Sequence, residues 1–248
     1  MWPYPKVLAH RGGGVLAPEN TLAAIKCGAA HGFNAVEFDV MLSKDGVPVL
    51  MHDPEFGRTI NGRGHVANTL AADLQKMDAG AWFDSSYKGE PVPLYSDVVR
   101  LCRQHDIWMN VEIKPAPGFE EETGHIVAAR SSELFADVAV SDVKHLPLFS
   151  SFSFVALMAA KRAAPTIPRG LLMDEITPDW KSKLQEVGAV SLHTNHKFLS
   201  PSLAKNVKDA GYGLFCYTVN EAARAAEILR WGVDGFCTDR IDLIPVGF

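Results

Sequence analysis

The four cysteines of this 248-residue chain, Cys27, Cys102, Cys216 and Cys237, never fall into the paired spacing of a zinc knuckle or a redox motif, so neither is expected. Scattered thiols point instead to reduced, mostly buried residues in a cytoplasmic protein. Positive charge is also scarce. Lys and Arg number 24 against 29 Asp and Glu, and the net charge of −5 excludes a general attraction to nucleic acid or anionic membrane. No apolar run approaches bilayer-spanning length, so stable membrane insertion is not expected. The segment Met1-Trp2-Pro3-Tyr4-Pro5 has no basic region followed by an apolar stretch, and no secretory signal is expected. What remains is ordinary globular composition, 47% hydrophobic, with a small molecule as the expected partner.

Short β-rich apolar runs alternate along the chain with longer helical patterns, the signature of repeated βα units and a parallel sheet. The runs are Lys6–His10, Ala35–Met41, Trp108–Lys114, Leu146–Ser151, Arg169–Met173, Ala189–His193, Tyr212–Val219 and Asp234–Thr238. Helices are expected over Thr21–His31, Asp97–His105, Phe154–Ala163, Pro201–Ala210 and Glu221–Trp231. Asn20 or Thr21 can cap the first of them, and Gly32 can close it in a left-handed conformation. Eight strands with intervening helices in about 250 residues is the usual size of a (β/α)8 TIM barrel. An open doubly wound sheet is the alternative.

One segment breaks the rhythm. After the second run, Ser43-Lys44-Asp45-Gly46 turns the chain back into Val47–His52, a hairpin partner. Residues 53 to about 94 are rich in Gly, Asn, Pro and Asp, and a structureless loop of that length is unusual, so a small insertion over the strand ends is expected. The chain thus reads as a single barrel domain over residues 1–248.

The chemistry lies at the ends of the runs, where barrel active sites are built. Glu37 and Asp39 alternate with Val36, Phe38 and Val40, and so share one face of a strand; Glu112 and Lys114 do likewise. Three carboxylates cannot remain ionised and unpaired in a core, and a divalent cation is the simplest counter-charge. All-carboxylate ligation suits Mg²⁺ or Ca²⁺ better than zinc, with Mg²⁺ the first expectation. His10 and His52 suggest paired proton transfer, one imidazole taking a proton from a nucleophile and the other donating to a leaving oxygen. Arg11 and Lys114 add the fixed positive charge that a phosphate undergoing displacement requires. Phosphodiester cleavage is the implied reaction, with water or a neighbouring substrate hydroxyl as nucleophile.

Taken together, His10-Arg11-Gly12, Pro18-Glu19-Asn20-Thr21, Glu37-Phe38-Asp39-Val40, His52-Asp53 and Glu112-Ile113-Lys114 resemble the glycerophosphodiester phosphodiesterase family. The likeness extends to Tyr217-Thr218-Val219-Asn220, Gly232-Val233-Asp234-Gly235 and Thr238-Asp239, and so covers essentially the whole chain. The opening Trp2-Pro3-Tyr4-Pro5 and the stretch from Leu192 to Lys197 look most like the cytosolic bacterial branch associated with glycerol-3-phosphate uptake. The resemblance implies hydrolysis of glycerophosphodiesters, the deacylated remains of phospholipids, to sn-glycerol 3-phosphate and an alcohol. It implies metal ligation by Glu37, Asp39 and Glu112, acid–base roles for His10 and His52, and phosphate contacts from Arg11 and Lys114. Tyr217 stands where relatives often carry tryptophan and keeps an aromatic wall. Family enzymes use either Mg²⁺ or Ca²⁺.

Blander roles compete for several of these residues. Glu112 and Lys114 can form a simple intra-strand ion pair, and His52 with Asp53 a strand-ending hydrogen bond. His31 and His105 sit where helix carboxyl ends are expected. His193 and His196 are candidates for the substrate side of the barrel mouth, Ser150 and Ser151 for hydrogen bonding, and Asp239 for a structural role. Trp82, Phe83 and Tyr87 are expected to pack a small core within the insertion, with covering the alcohol part of a substrate as the alternative. Two rival functions are a noncatalytic barrel that binds a phosphorylated metabolite and a phospholipase-type enzyme acting on intact lipid. A homodimer is the assembly to test for, being the commonest homo-oligomer.

Overall fold

A computed structural model describes residues 2–248. Nine strands form one sheet: β1 (Val7–Ala9), β2 (Ala35–Leu42), β3 (Pro48–Leu50), β4 (Trp108–Ile113), β5 (Leu148–Ser151), β6 (Arg169–Met173), β7 (Ser191–Asn195), β8 (Gly213–Tyr217) and β9 (Gly235–Thr238). Eight of them are parallel and close on themselves, because β1 pairs with both β9 and β2. The sheet is therefore a TIM barrel rather than an open doubly wound sheet. The short β3 runs antiparallel to β2, as the turn at Ser43–Gly46 requires.

Alternation decides what each strand offers. Every residue of β2 is buried, with Val36, Phe38 and Val40 in the apolar layer under the helices, while Glu37 and Asp39 take the opposite, inward positions. The surrounding α-helices are α1 (Leu22–Ala30), α2 (Ala71–Leu74), α3 (Tyr95–Gln104), α4 (Glu120–Leu134), α5 (Phe154–Ala163), α6 (Trp180–Val187), α7 (Pro201–Asp209) and α8 (Ala222–Arg230). Thr21, Ser153 and Ser200 cap α1, α5 and α7 by accepting from backbone N–H groups in the first turn. Each cap contributes about 1 kcal/mol. Gly32 closes α1 at a positive φ of 84°.

Two barrel helices, α4 and α6, add to the five expected; α6 packs an ordinary apolar face of Trp180, Leu184 and Val187, whereas α4 escapes the hydrophobic pattern. The buried face of α4 consists of Thr123, Gly124, Val127, Ala128 and Ser131, small or polar residues that let it approach α5 closely. A β-carbon at Gly124 would lie 2.1 Å from the Ala156 carbonyl oxygen, so close contact rather than bulk holds the two helices together. Between β3 and α3, residues 53–94 hold α2 and short 3-10 turns around an apolar cluster in which Ile60, Val66, Leu74 and Val92 pack with Met41, Val49 and Met51 from the β2–β3 hairpin and its end. There Trp82, Phe83 and Tyr87 pack edge to face.

The amino-terminal end of the barrel is shut by aromatic rings. Tyr4 stacks on Trp108 at 4.4 Å, and Trp2 lies against Tyr4 and Phe215. The interior is accessible only from the carboxyl ends of the strands, where βα loops can place reactive groups.

Candidate active site

His10 is the first residue after β1, and the loop that follows is wound tightly to place it. Arg11 adopts φ +50° and Gly12 φ +89°. Gly14, also at positive φ, lies against the last loop of the chain: a β-carbon there would come within 2.1 Å of the Asp239 carbonyl oxygen. This contact delivers Asp239 to His10, whose Nδ1 lies 2.6 Å from the Asp239 carboxylate. The other ring nitrogen, Nε2, then faces Glu37 at 3.6 Å.

The parallel register of β2 and β4 sets Asp39 beside Glu112. Glu37, Asp39 and Glu112 each present a carboxylate oxygen, and the three oxygens lie within 4.8 Å of one another. Lys114, just past β4, donates to Asp39 Oδ1 at 3.1 Å and lies 3.8 Å from Glu112. The intra-strand pair is thus the weaker of its two contacts. Arg11 sends its backbone N–H to Glu37 at 3.1 Å, while its guanidinium pairs with Glu19 at 2.8 Å.

The charges do not balance. Arg11 and Lys114 face three buried carboxylates, and part of the Arg11 charge is already committed to Glu19. Burial opposes ionisation of Asp39, but Lys114 and Arg11 overrule it and hold this carboxyl at about 2. Burial instead pushes Glu37 up to about 7, with His10 opposing and the Asp39 charge adding to the rise. Glu112 is driven well above the carboxylate range by burial and by the Asp39 charge. Such a site has surplus negative charge and only oxygen donors, which fits a hard divalent cation. A divalent metal is accordingly the cofactor that these residues suit.

The two histidines have different supports. Burial alone would lower the His10 pKa, but the hydrogen bond to Asp239 and the Glu37 and Asp239 charges reverse that and raise it. His52, beyond β3, is held by Asp53 at 2.6 Å, and burial leaves its pKa below the ordinary histidine range despite the opposing Asp39 charge. Arg58, from the inserted segment, grips Asp53 at 2.6 Å and both oxygens of Glu19 at 2.7 Å. Arg11, Glu19, Arg58 and Asp53 thus form one chain of ion pairs, which a hydrogen bond extends to His52.

His10, Arg11, Glu37, Asp39, His52, Glu112, Lys114 and Tyr217 all line one cavity of about 240 Å³ at the carboxyl end. A groove of about 710 Å³ near Pro3 and Trp108 is larger but gathers no comparable set of reactive groups. Size is therefore the wrong criterion; convergence is the right one. Among the described residues, the buried side-chain polar atoms without a partner are Arg11 Nε, Asn110 Oδ1, Ser150 Oγ and His193 Nδ1, and all four residues line this same cavity. Buried polar groups are costly to leave unpaired, so their convergence marks a place where something polar binds.

Several neighbours were not legible as site residues. Asn20 does not cap α1; Thr21 does, while Asn20, at φ +58°, donates to Asp39 at 2.8 Å and accepts from the Asp39 backbone N–H. Asn110 was hidden inside an apolar run. Arg58 lay in an irregular segment with no periodicity, and Asp239 is 229 positions from the histidine it orients. Of the two histidines expected after the sixth barrel strand, His193 lies within it, in β7, and faces the cavity floor, whereas His196 does follow it but is turned away and engaged by Arg224. Ser150 lines the cavity, and Ser151 donates to the Ile113 carbonyl at 2.6 Å.

Comparison with known proteins gives a consistent result. The model of the glycerophosphoryl diester phosphodiesterase family matches residues 10–243. A glycerophosphodiester phosphodiesterase of Caldanaerobacter subterraneus is 33% identical over 238 residues, covering 94% of this chain and 93% of the relative. A phosphodiesterase of Oleispira antarctica, solved in complex with the product sn-glycerol-3-phosphate, superposes with a TM-score of 0.86 at 37% identity, over 95% of this chain and 93% of that one. A glycerophosphodiester phosphodiesterase from Agrobacterium tumefaciens superposes with a TM-score of 0.79 at 27% identity, over 96% and 98% of the two chains.

Proposed function

This chain belongs to the glycerophosphoryl diester phosphodiesterase family, whose reaction is hydrolysis of a glycerophosphodiester to sn-glycerol 3-phosphate and an alcohol, and we propose how its residues divide that work. Glu37, Asp39 and Glu112 hold a divalent cation, Mg²⁺ in the first instance and Ca²⁺ as the alternative. When bound, the ion neutralises charge that develops on the phosphoryl oxygens. Arg11 and Lys114 bind and orient the phosphate, and Tyr217 walls the substrate on the far side. His10 and His52 move protons: one imidazole accepts the proton of the attacking oxygen, and the other donates to the alcohol oxygen as the P–O bond breaks.

Geometry supports these roles. Asp239 fixes the His10 ring so that Nε2 points toward the carboxylate cluster, and Asp53 fixes the His52 ring in the same manner. Residues 53–94, treated as an insertion within one barrel domain, contribute His52's anchor and Arg58 to the rim. Free cysteines, three of them buried, are in keeping with a reducing compartment, the cytoplasm. No helix among the described residues is long and apolar enough to cross a membrane. The observation that carries the reading is the meeting of three carboxylate oxygens within 4.8 Å beside the His10 ring.

A coupled assay tests it. Purified protein is incubated with glycerophosphocholine, with Mg²⁺, with Ca²⁺ or with chelator, and sn-glycerol 3-phosphate is detected through its dehydrogenase; an acylated phosphatidylcholine runs in parallel. Metal-dependent product from the deacylated diester alone is expected. Product in chelator, or from the intact lipid only, would contradict the proposed roles.

A further inference from the structure

Resting on that reading, we propose that the rim formed by Phe152, Asp174, Asn195 and Tyr217 is a subsite for a positively charged alcohol, so that the preferred substrates are zwitterionic diesters of the choline and ethanolamine class. The barrel order sets this rim across from the phosphate-binding residues in two pairs: β6, which Asp174 follows, lies four strands from β1, which precedes Arg11, and β8, which ends in Tyr217, lies four strands from β4, which precedes Lys114; Phe152, after β5, borders β4. Arg11 therefore faces Asp174 across the mouth, and Lys114 faces Tyr217. A diester whose phosphate sits at the cationic side must send one arm down into the floor or across to the far rim.

The two destinations differ in chemistry. In the floor, Asn110, Ser150 and His193 present buried, unpartnered polar atoms, suited to the hydroxyls of the glycerol arm that every substrate shares. The rim carries one carboxylate and two aromatic rings. Asp174, exposed just beyond β6, accepts at Oδ1 from Tyr217 Oη at 3.3 Å and from Asn195 Nδ2 at 3.2 Å, which fixes its charge beside the Tyr217 ring. Burial and the Asp174 charge raise the Tyr217 pKa, so the phenol stays neutral and remains a donor.

Phe152 completes the corner. Its ring stands 5.7 Å from that of Tyr217 at 81°, and the residue is 51% exposed although it lines the cavity. A large aromatic left half in solvent at a cavity mouth has no core to support. Two perpendicular ring faces with a carboxylate alongside attract a quaternary or primary ammonium through the ring quadrupoles and the anionic charge together. The phosphate's negative charge meets Arg11 and Lys114, and the ammonium's positive charge meets Asp174, so a zwitterion is matched at both ends. An uncharged alcohol gains only the contact with the rings.

The test compares glycerophosphocholine with its neutral carbon isostere, the glycerophosphodiester of 3,3-dimethylbutanol, which has the same shape without the charge. The ratio of the two kcat/KM values is read in the metal-loaded wild type, in Asp174→Asn and in Phe152→Ala. A ratio of roughly 5 or more is expected in the wild type, falling about 3- to 5-fold in each variant. Because general damage to the enzyme lowers both rates, the ratio reports the headgroup alone. A wild-type ratio near one, or a ratio that both variants leave unchanged while both diesters are hydrolysed, overturns the subsite. Absence of product from both diesters overturns the hydrolase reading itself, and the subsite with it.

Discussion

Along β4 the inward side chains run Trp108, Asn110, Glu112 and then Lys114, and the barrel interior changes in step from an apolar plug to a charged mouth. Other strands repeat the gradient: Leu8 precedes His10 from β1, Leu148 precedes Ser150 in β5, and Cys237 in β9 precedes Asp239. At the amino end the rings of Trp2, Tyr4, Trp108 and Phe215 satisfy one another by packing. At the carboxyl end the carboxylates crowd one another and are relieved only in part by Arg11 and Lys114. Burial is similar at the two ends, but the sign of its consequence is opposite: it stabilises the plug and strains the mouth. Stability and chemistry are thus separated along the barrel axis by about two residues of strand.

The separation is broken most severely by removing charge from the mouth. Glu37→Gln and Glu112→Gln each delete a proposed ligand but keep the side-chain volume. Turnover should fall by three or more decades, on the order of several kcal/mol of transition-state stabilisation, with loss of Mg²⁺ or Ca²⁺ binding by calorimetry. The melting temperature of the metal-free protein should hold or rise, because each variant removes a carboxyl whose ionisation burial already opposes. A variant with ordinary metal-dependent turnover would show that the carboxylates do not act as ligands.

Trp108→Ala makes the converse cut. It removes a ring stacked at 4.4 Å on Tyr4 and the indole N–H bond to the Leu146 carbonyl, and should cost about 3–5 kcal/mol of unfolding free energy in urea titration. Turnover per folded molecule should change little. A large loss of kcat at a temperature where the variant is fully folded would mean that the two ends are mechanically coupled.

How much of this was legible from sequence follows the same division. Glu37 and Asp39 stood out because charges in a run as buried as Val36–Val40 have no bland explanation. The barrel was legible from alternating runs, although α4 was not, since Thr123, Gly124 and Ser131 on its buried face carry no hydrophobic signal. Asp239, Asn20 and Arg58 could not be read as site residues, because nothing local distinguishes them until closure of the sheet brings distant segments together. A smaller effect is expected there: Asp239→Asn exchanges a charge-assisted bond to His10 for a neutral one, worth about 1.5–3 kcal/mol, so kcat should drop roughly 10- to 100-fold with metal binding retained. Unchanged kcat would leave Asp239 with the purely structural role that sequence alone suggested.

The smallest effect lies at the boundary between plug and mouth, where His193 belongs to both. Its ring lies 4.8 Å from that of Phe215 and 6.3 Å from that of Trp2, its Nε2 meets Ser191 Oγ at 3.0 Å, and Nδ1 has no partner. Gly170 makes room for it: a β-carbon there would lie 2.4 Å from Nε2. Burial pushes the His193 pKa down to about 3, below the unfolded value near 6.5. Between those values the unfolded chain binds a proton that the folded one refuses, so stability is complete above about pH 6.5 and declines as the pH falls toward 3. At pH 5 the loss from this group alone is ~2 kcal/mol. His193→Gln starts from a lower stability because it gives up the ring contacts, yet between pH 7 and pH 5 it should lose ~2 kcal/mol less than the wild type in urea unfolding. Parallel pH profiles for the two proteins would mean that His193 is hydrated from the mouth and titrates normally, which would move the boundary between the dry plug and the polar cavity one residue deeper into the barrel.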